Sequence, residues 1–280
     1  MKFGVFVFPT EYSISTQDLA MGLETRGFES MFVCEHTHIP VSRCTPFPGG
    51  EPLPKEYSHT LDPFVALSTA AAVTDTLRLG TGICLVAQRD PIVTAKEAAS
   101  LDLVSGGRFE LGIGAGWNQD EMENHGTVYE TRFKVMADRV KAIKALWTQE
   151  EASYYGEFTQ FEPVWSWPKP VQKPHPPVLL GGDTRHSLRR VLSFCDGWLP
   201  RGNMAMADPH KGMAELRNCA EELDRDAASI PVSVFRALPE EDYLNKCREA
   251  GVTRVLFQVP SKSKDEVMPL LDQYATLFDH

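Results

Sequence analysis

The residues best suited to chemistry in this 280-residue chain are Glu35 and His36, which close a β-branched and aromatic run and lead into Thr37 and His38. Imidazole is the side chain most readily poised near neutral pH, so His36 is the leading acid/base candidate, with Glu35 beside it. His38 offers the same chemistry in a weaker position. Taken alone, a histidine just past a strand is more often a hydrogen-bonded structural residue. A second constellation is the run Gly112-Ile113-Gly114-Ala115-Gly116-Trp117. It fails as a dinucleotide fingerprint, because tryptophan stands where the third glycine belongs and no strand with an acidic end follows at the right distance. Its glycines instead let a flat ring approach the backbone, or serve tight packing between strand and helix. A third constellation, Gly181-Gly182-Asp183-Thr184, precedes a helix whose first turn exposes N–H groups suited to a phosphate, with Arg185, Arg189 and Arg190 following. The competing reading is a glycine turn capped by Thr184. Asp120 and Glu121 open a helix after the first glycine run, where carboxylates simply complement the helix dipole.

These residues need a scaffold that gathers strand ends, and the chain supplies it by alternation. Strands are expected over residues 2–8, 30–34, 77–85, 108–113, 177–180, 196–199, 231–235 and 252–259. Helices are expected over 16–26, 63–74, 91–104, 118–124, 131–147, 184–194, 209–228, 240–250 and 264–278. Such a count is that of an α/β fold, the (β/α)8 TIM barrel, forming one domain over residues 1–280, with a doubly wound sheet as runner-up. Two irregular insertions interrupt it. Residues 35–62, after the second strand, contain Phe47, Tyr57 and five prolines and suggest an apolar lid. Residues 150–176 carry Tyr154, Tyr155, Trp165 and Trp167 and precede the fifth strand, which puts them on the N-terminal side, away from the chemistry.

Composition narrows the function classes. With 42% hydrophobic and 24% charged residues the chain reads as an ordinary globular enzyme, without a run of the ~20 apolar residues a span requires. Residues 1–8 read as a first strand, not a signal peptide. A net charge of −10 argues against nucleic-acid or anionic-membrane partners. Six cysteines show no CxxC spacing, consistent with reduced core thiols in the cytoplasm, and no zinc-type spacing suggests a metal.

Several segments, in order, carry a resemblance: Leu79-Gly80-Thr81-Gly82-Ile83, Gln88-Arg89-Asp90-Pro91, Asp102-Leu103-Val104-Ser105-Gly106-Gly107-Arg108-Phe109, the Gly112 to Trp117 run and Glu121. Glu35-His36, residues 169–177, Gly181-Gly182 and Asp196-Gly197-Trp198 extend it over nearly the whole chain. The sequence resembles the bacterial luciferase-like family, and within it the actinobacterial branch that uses the deazaflavin F420.

The resemblance implies a (β/α)8 barrel with the cofactor ring across its C-terminal mouth. Gly82-Ile83 falls where relatives carry a bulge, often with a non-prolyl cis peptide, that supports the ring. Gly114, Ala115, Gly116 and Trp117 would line the opposite side, and Gly181, Gly182, Thr184 and Arg185 would hold the phosphate. Glu35-His36 matches an acidic-histidine pair whose histidine faces the reactive carbon. In the sugar-phosphate dehydrogenase branch a glutamate occupies the place of Trp117, so that chemistry is not implied. FMN-using relatives can place an arginine near Ala115; alanine here favours F420, whose anionic tail Arg89, Arg185, Arg189 and Lys96 would meet. The implied activity is F420-dependent hydride transfer to or from a small organic substrate, in a homodimer. The alternatives are a reduced-FMN monooxygenase using O2 and a barrel that binds flavin or F420 without turnover.

Overall fold

A computed structural model describes residues 1–278. Eight parallel strands form one sheet: β1 (Lys2–Val7), β2 (Ser30–Val33), β3 (Arg78–Thr81), β4 (Phe109–Ile113), β7 (Val178–Gly181), β8 (Gly197–Leu199), β9 (Ser233–Phe235) and β10 (Arg254–Val259). Their order is β8-β7-β4-β3-β2-β1-β10-β9. The two end strands meet through parallel bridges, Trp198 with Val232 and Arg201 with Phe235, so the sheet curls into a nearly closed barrel. The TIM-barrel expectation is met, and the doubly wound alternative is excluded.

Period-2 alternation sorts the side chains. Phe6, Phe32, Cys34, Leu179, Leu199 and Leu256 fill the lumen, with Phe8, Ile83 and Phe235 packed above them. Alternate residues such as Val5, Val7, Met31 and Phe257 face the helices. Three helices begin at an Asp-Pro pair: Asp62 caps α2 (Pro63–Ala71), Asp90 caps α3 (Pro91–Val104) and Asp208 caps α7 (Pro209–Glu222). In each, proline occupies a first-turn position that needs no N–H while the aspartate accepts from freed backbone donors. The other major helices are α1 (Thr16–Glu24), α4 (Gln119–Asn124), α5 (Arg132–Thr148), α6 (Arg185–Phe194), α8 (Glu241–Ala250) and α9 (Lys264–Ala275).

Ion pairs close the N-terminal end of the barrel. Arg254 reaches Glu29 and Glu110, and Arg78 also bonds Glu110. Burial pushes the Glu110 carboxyl up, but Arg254 and then Arg78 overcome it and hold it below the usual carboxylate value. The insertion before the fifth barrel strand lies at this end, as expected: Gln172 bonds Asp102 and the Phe109 carbonyl. It is less irregular than expected, because β5 (Ala152–Tyr155) and β6 (Gln160–Val164) pair as an antiparallel hairpin. Elsewhere β3 ends at Thr81, four residues before the expected limit, and α7 ends six residues early. Among the described residues no helix is long and apolar enough to cross a membrane, and no cluster of three or more His, Cys, Asp or Glu could hold a metal.

Candidate active site

His36 stands two residues beyond Cys34 and four beyond Phe32, so strand alternation carries it up the lumen face of β2 to the mouth. Its Nδ1 lies 2.7 Å from Glu121 Oε2, in a contact where Glu121 is fully buried and His36 is 8% exposed. Glu121 therefore does more than complement the α4 dipole, which was all its sequence position suggested. A buried carboxylate on Nδ1 fixes ring orientation and tautomer: with Nδ1–H donating to Glu121, Nε2 is left as the atom for proton exchange. Glu121 Oε1, and both amide atoms of Gln88 and of Asn118, are buried without a hydrogen-bond partner among the described residues. Gln88 sits beside Gly116, where an added Cβ would lie 3.3 Å from its Nε2. His38 stays outside this group, its ring nitrogens engaged by Thr37 and Asn124.

Glu35 belongs to a different network from His36. Its Oε1 accepts from Arg89 Nε and its Oε2 from the Leu85 N–H, each at 2.6 Å. Arg89 also bonds Glu97 and Asp62. This corrects two expectations. Glu35 does not hydrogen-bond the histidine, and Arg89, expected as a free cation, is paired with three carboxylates. Together they tie β2, the end of the first insertion and α3 into one support beneath the mouth.

The ends of β3 and β4 form the neighbouring part of the mouth. The Gly82–Ile83 peptide is cis. Gly82 N–H donates to Val33 and Cys84 N–H to Gly112, which leaves Ile83 as the extra residue between ladder bonds. Its side chain lies over glycines: a Cβ at Gly114 would fall 1.8 Å from Ile83 Cδ1, and one at Gly181 3.1 Å from Cγ2. Gly112 serves packing instead, since a Cβ there would meet the Thr81 carbonyl oxygen at 2.0 Å. Gly116 turns the chain with φ of 81°, after buried Ala115. Trp117 then meets His36, Phe47 and Tyr57, with ring centroids 5.9, 5.6 and 6.4 Å away. Phe47 and Tyr57 come from the first insertion, which is pinned to α4 where Asp120 accepts from Cys44 N–H and from Thr45 N–H and Oγ1. The insertion is thus a lid on an aromatic cluster beside His36. Burial pushes the Tyr57 hydroxyl up to about 12, so it remains a donor at neutral pH.

The third constellation is partly diverted. Thr184 caps α6 by accepting from the Ser187 N–H. Arg185 pairs with Glu215 and Glu222, Arg189 with Glu222, and Lys96 with the Trp167 carbonyl. Each of the four cations expected to meet an anionic tail, Arg89, Arg185, Arg189 and Lys96, thus has a partner within the protein. Next to Gly182, whose carbonyl accepts from Trp198 Nε1, a cleft of about 550 Å3 opens, lined by Thr184, Arg185, Trp198, Met204 and Lys211 among others. Two arginines that the sequence did not single out follow the C-terminal ends of β8 and β9: Arg201, two residues past Leu199, and Arg236, directly after Phe235. Their separation from the glycine motifs along the chain gave no local signal.

The first 239 residues match the sequence profile of the luciferase-like monooxygenases. An uncharacterized protein of Mycobacterium tuberculosis is 40% identical over 281 aligned positions, covering 98% of each chain. The FMNH(2)-dependent dimethylsulfone monooxygenase of Pseudomonas putida is 30% identical over 116 residues, 40% of this chain and 32% of that one. Among solved structures, monooxygenase RslO1 from Streptomyces bottropensis superposes with a TM-score of 0.79 at 20% identity, covering 99% and 98% of the two chains. The coenzyme F420-dependent tetrahydromethanopterin reductase of Methanopyrus kandleri superposes with a TM-score of 0.72 at 16% identity, covering 98% and 97%. With its profile match running through seven of the eight barrel strands, this chain belongs to the luciferase-like monooxygenase family.

Proposed function

We propose that the protein is an F420-dependent oxidoreductase acting on a small organic substrate at the C-terminal mouth of the barrel. The observation that carries the proposal is the buried His36–Glu121 pair facing a mouth walled by Ile83, Gly114 and Trp117. Such a wall suits a flat ring. The buried amides of Gln88 and Asn118, orphaned beside Gly116, suit a ring edged with carbonyl and N–H groups. Ile83, Gly114, Ala115, Gly116 and Trp117 would hold the ring, and Gly181, Gly182 and Thr184 the phosphate end. Bound there, the deazaflavin supplies a two-electron hydride couple at its C5.

The chain's own residues do the rest. His36 Nε2 donates or accepts the proton that accompanies hydride transfer, while Glu121 keeps the ring in the tautomer that leaves Nε2 available. Phe47 and Tyr57 cover the site and exclude water from it. Preference for F420 over FMN rests on buried Ala115, which brings no charge to an FMN phosphate. A monooxygenase using reduced FMN is the second reading, favoured by the dimethylsulfone monooxygenase relative. A homodimer is proposed from the exposed apolar side chains of α2 and α3, Val65, Ile92, Val93, Leu103 and Val104. Replacing His36 by alanine tests the core assignment: turnover is expected to fall while F420 affinity stays near wild type, and wild-type turnover would remove His36 from the mechanism.

A further inference from the structure

Around the barrel the strands run β1, β2, β3, β4, β7, β8, β9, β10, so β8 stands opposite β2 and β9 is its neighbour. Arg201 follows Leu199, a lumen residue, at the same parity, and pairs across the bridge with Phe235, another lumen residue. Strand alternation therefore brings Arg201 to the mouth, on the side opposite His36. Its backbone N–H and Nε both donate to Asp183, at 2.8 and 2.6 Å.

Arg236 reaches the same rim by a different route. Directly after β9 it takes φ of 58°, a left-handed conformation that non-glycine residues seldom adopt. The turn rests against Gly202, where an added Cβ would lie 2.6 Å from the Arg236 carbonyl oxygen. Arg236 Nε donates to Gln258 Oε1 at 3.1 Å. Gln258 shares a register position with lumen residue Phe6 and the parity of Leu256, so it too belongs to the lumen face. Both guanidinium groups are thus held by Nε above the lumen. Neither makes a hydrogen bond through its terminal nitrogens among the described residues. Two planar forks fixed by one edge, with the other edge open, are suited to an oxyanion.

We propose that Arg201 and Arg236 form a receptor for an oxyanion, phosphate or carboxylate, carried by the substrate or by the cofactor tail, on the rim that faces His36 across the lumen. The assignment rests on the reading of this mouth as the reaction site. Asp183 offsets one of the two charges, so in a chain of net charge −10 the cluster keeps a single net positive charge, with the open guanidinium edges to orient an anion at one side of the mouth. An anionic substrate clamped there presents its far end toward His36.

The test uses the intact protein and inorganic phosphate as the probe, read by 31P line broadening. Wild type is compared with Arg236→Gly, which suits the left-handed backbone, and with Arg236→Gln as a second variant. Losing one charge-assisted fork is expected to weaken phosphate binding at least about tenfold. Equal phosphate affinity in wild type and both variants, or no phosphate binding by wild type, would overturn the receptor. The same proteins are then titrated with F420 and with its deazaflavin fragment lacking the phosphodiester tail. Weaker F420 binding with unchanged fragment binding assigns the anion to the cofactor; unchanged binding of both assigns it to the substrate. Because the phosphate measurement needs no cofactor, a failure of F420 to bind would count against the F420 reading alone.

Discussion

Replacing Glu121 by glutamine preserves the volume of a fully buried side chain and removes the charge that faces His36 Nδ1 at 2.7 Å. A hydrogen bond to an ionised partner contributes about 1.5–3 kcal/mol. If that energy is expressed when His36 exchanges its proton, turnover should fall by about 10- to 150-fold. Glutamine also places an amide where Glu121 Oε1 already lacks a partner, so a stability loss of about 1–3 kcal/mol should accompany it. The assay is steady-state turnover followed by deazaflavin absorbance, beside F420 affinity from fluorescence and unfolding in urea. The expected pattern is a lower kcat with F420 affinity close to wild type. Wild-type kcat in a folded Glu121→Gln protein would refute the positioning role. A loss confined to F420 affinity would show that Glu121 shapes the ring site instead of the proton donor.

The glycines provide a second contrast. Gly112→Ala pushes a methyl into the Thr81 carbonyl, where nothing can give, and should cost at least the roughly 1–3 kcal/mol typical of overpacking, measured by urea unfolding. Gly114→Ala meets the Ile83 side chain and no backbone, with Cδ1 at 1.8 Å and Cγ1 at 3.1 Å, so it should cost less stability than Gly112→Ala and instead displace Ile83 into the mouth, measured as weaker F420 binding. At the barrel floor, Glu110→Gln removes the carboxylate between Arg254 and Arg78 and should destabilise by about 3–5 kcal/mol at neutral pH. Glu110 is held below the ordinary value of 4.5, so its contribution is complete above that pH and is lost as pH falls through the lower folded value. The stability gap between wild type and Glu110→Gln should therefore narrow on acidification below 4.5, and a gap that widens would contradict the assignment.

Much of the barrel was legible because strand and helix periods differ and because each long insertion fell inside a single connection. The Asp-Pro starts of α2, α3 and α7 write their boundaries into the chain. What escaped was decided by contacts far apart in sequence. The pairing of His36 with Glu121 spans 85 residues, and an acid in the first turn of a helix looks the same whether it serves the dipole or a buried histidine. Arg89 and Arg185 read as free cations because Asp62 and Glu222, the carboxylates that take them up, come from other elements. The β5–β6 hairpin was hidden because a register irregularity between Ala152 and Tyr154, and Pro163 within β6, break the alternation that marks a strand. Arg236 was invisible because a left-handed arginine has no sequence signature.

Under the proposed function, the mouth beside His36 takes F420. Titrating the purified protein with F420 and with FMN, each followed by fluorescence, tests it most directly. Saturable F420 binding is expected, with FMN bound more weakly or not at all; tight FMN binding without F420 binding would overturn the assignment.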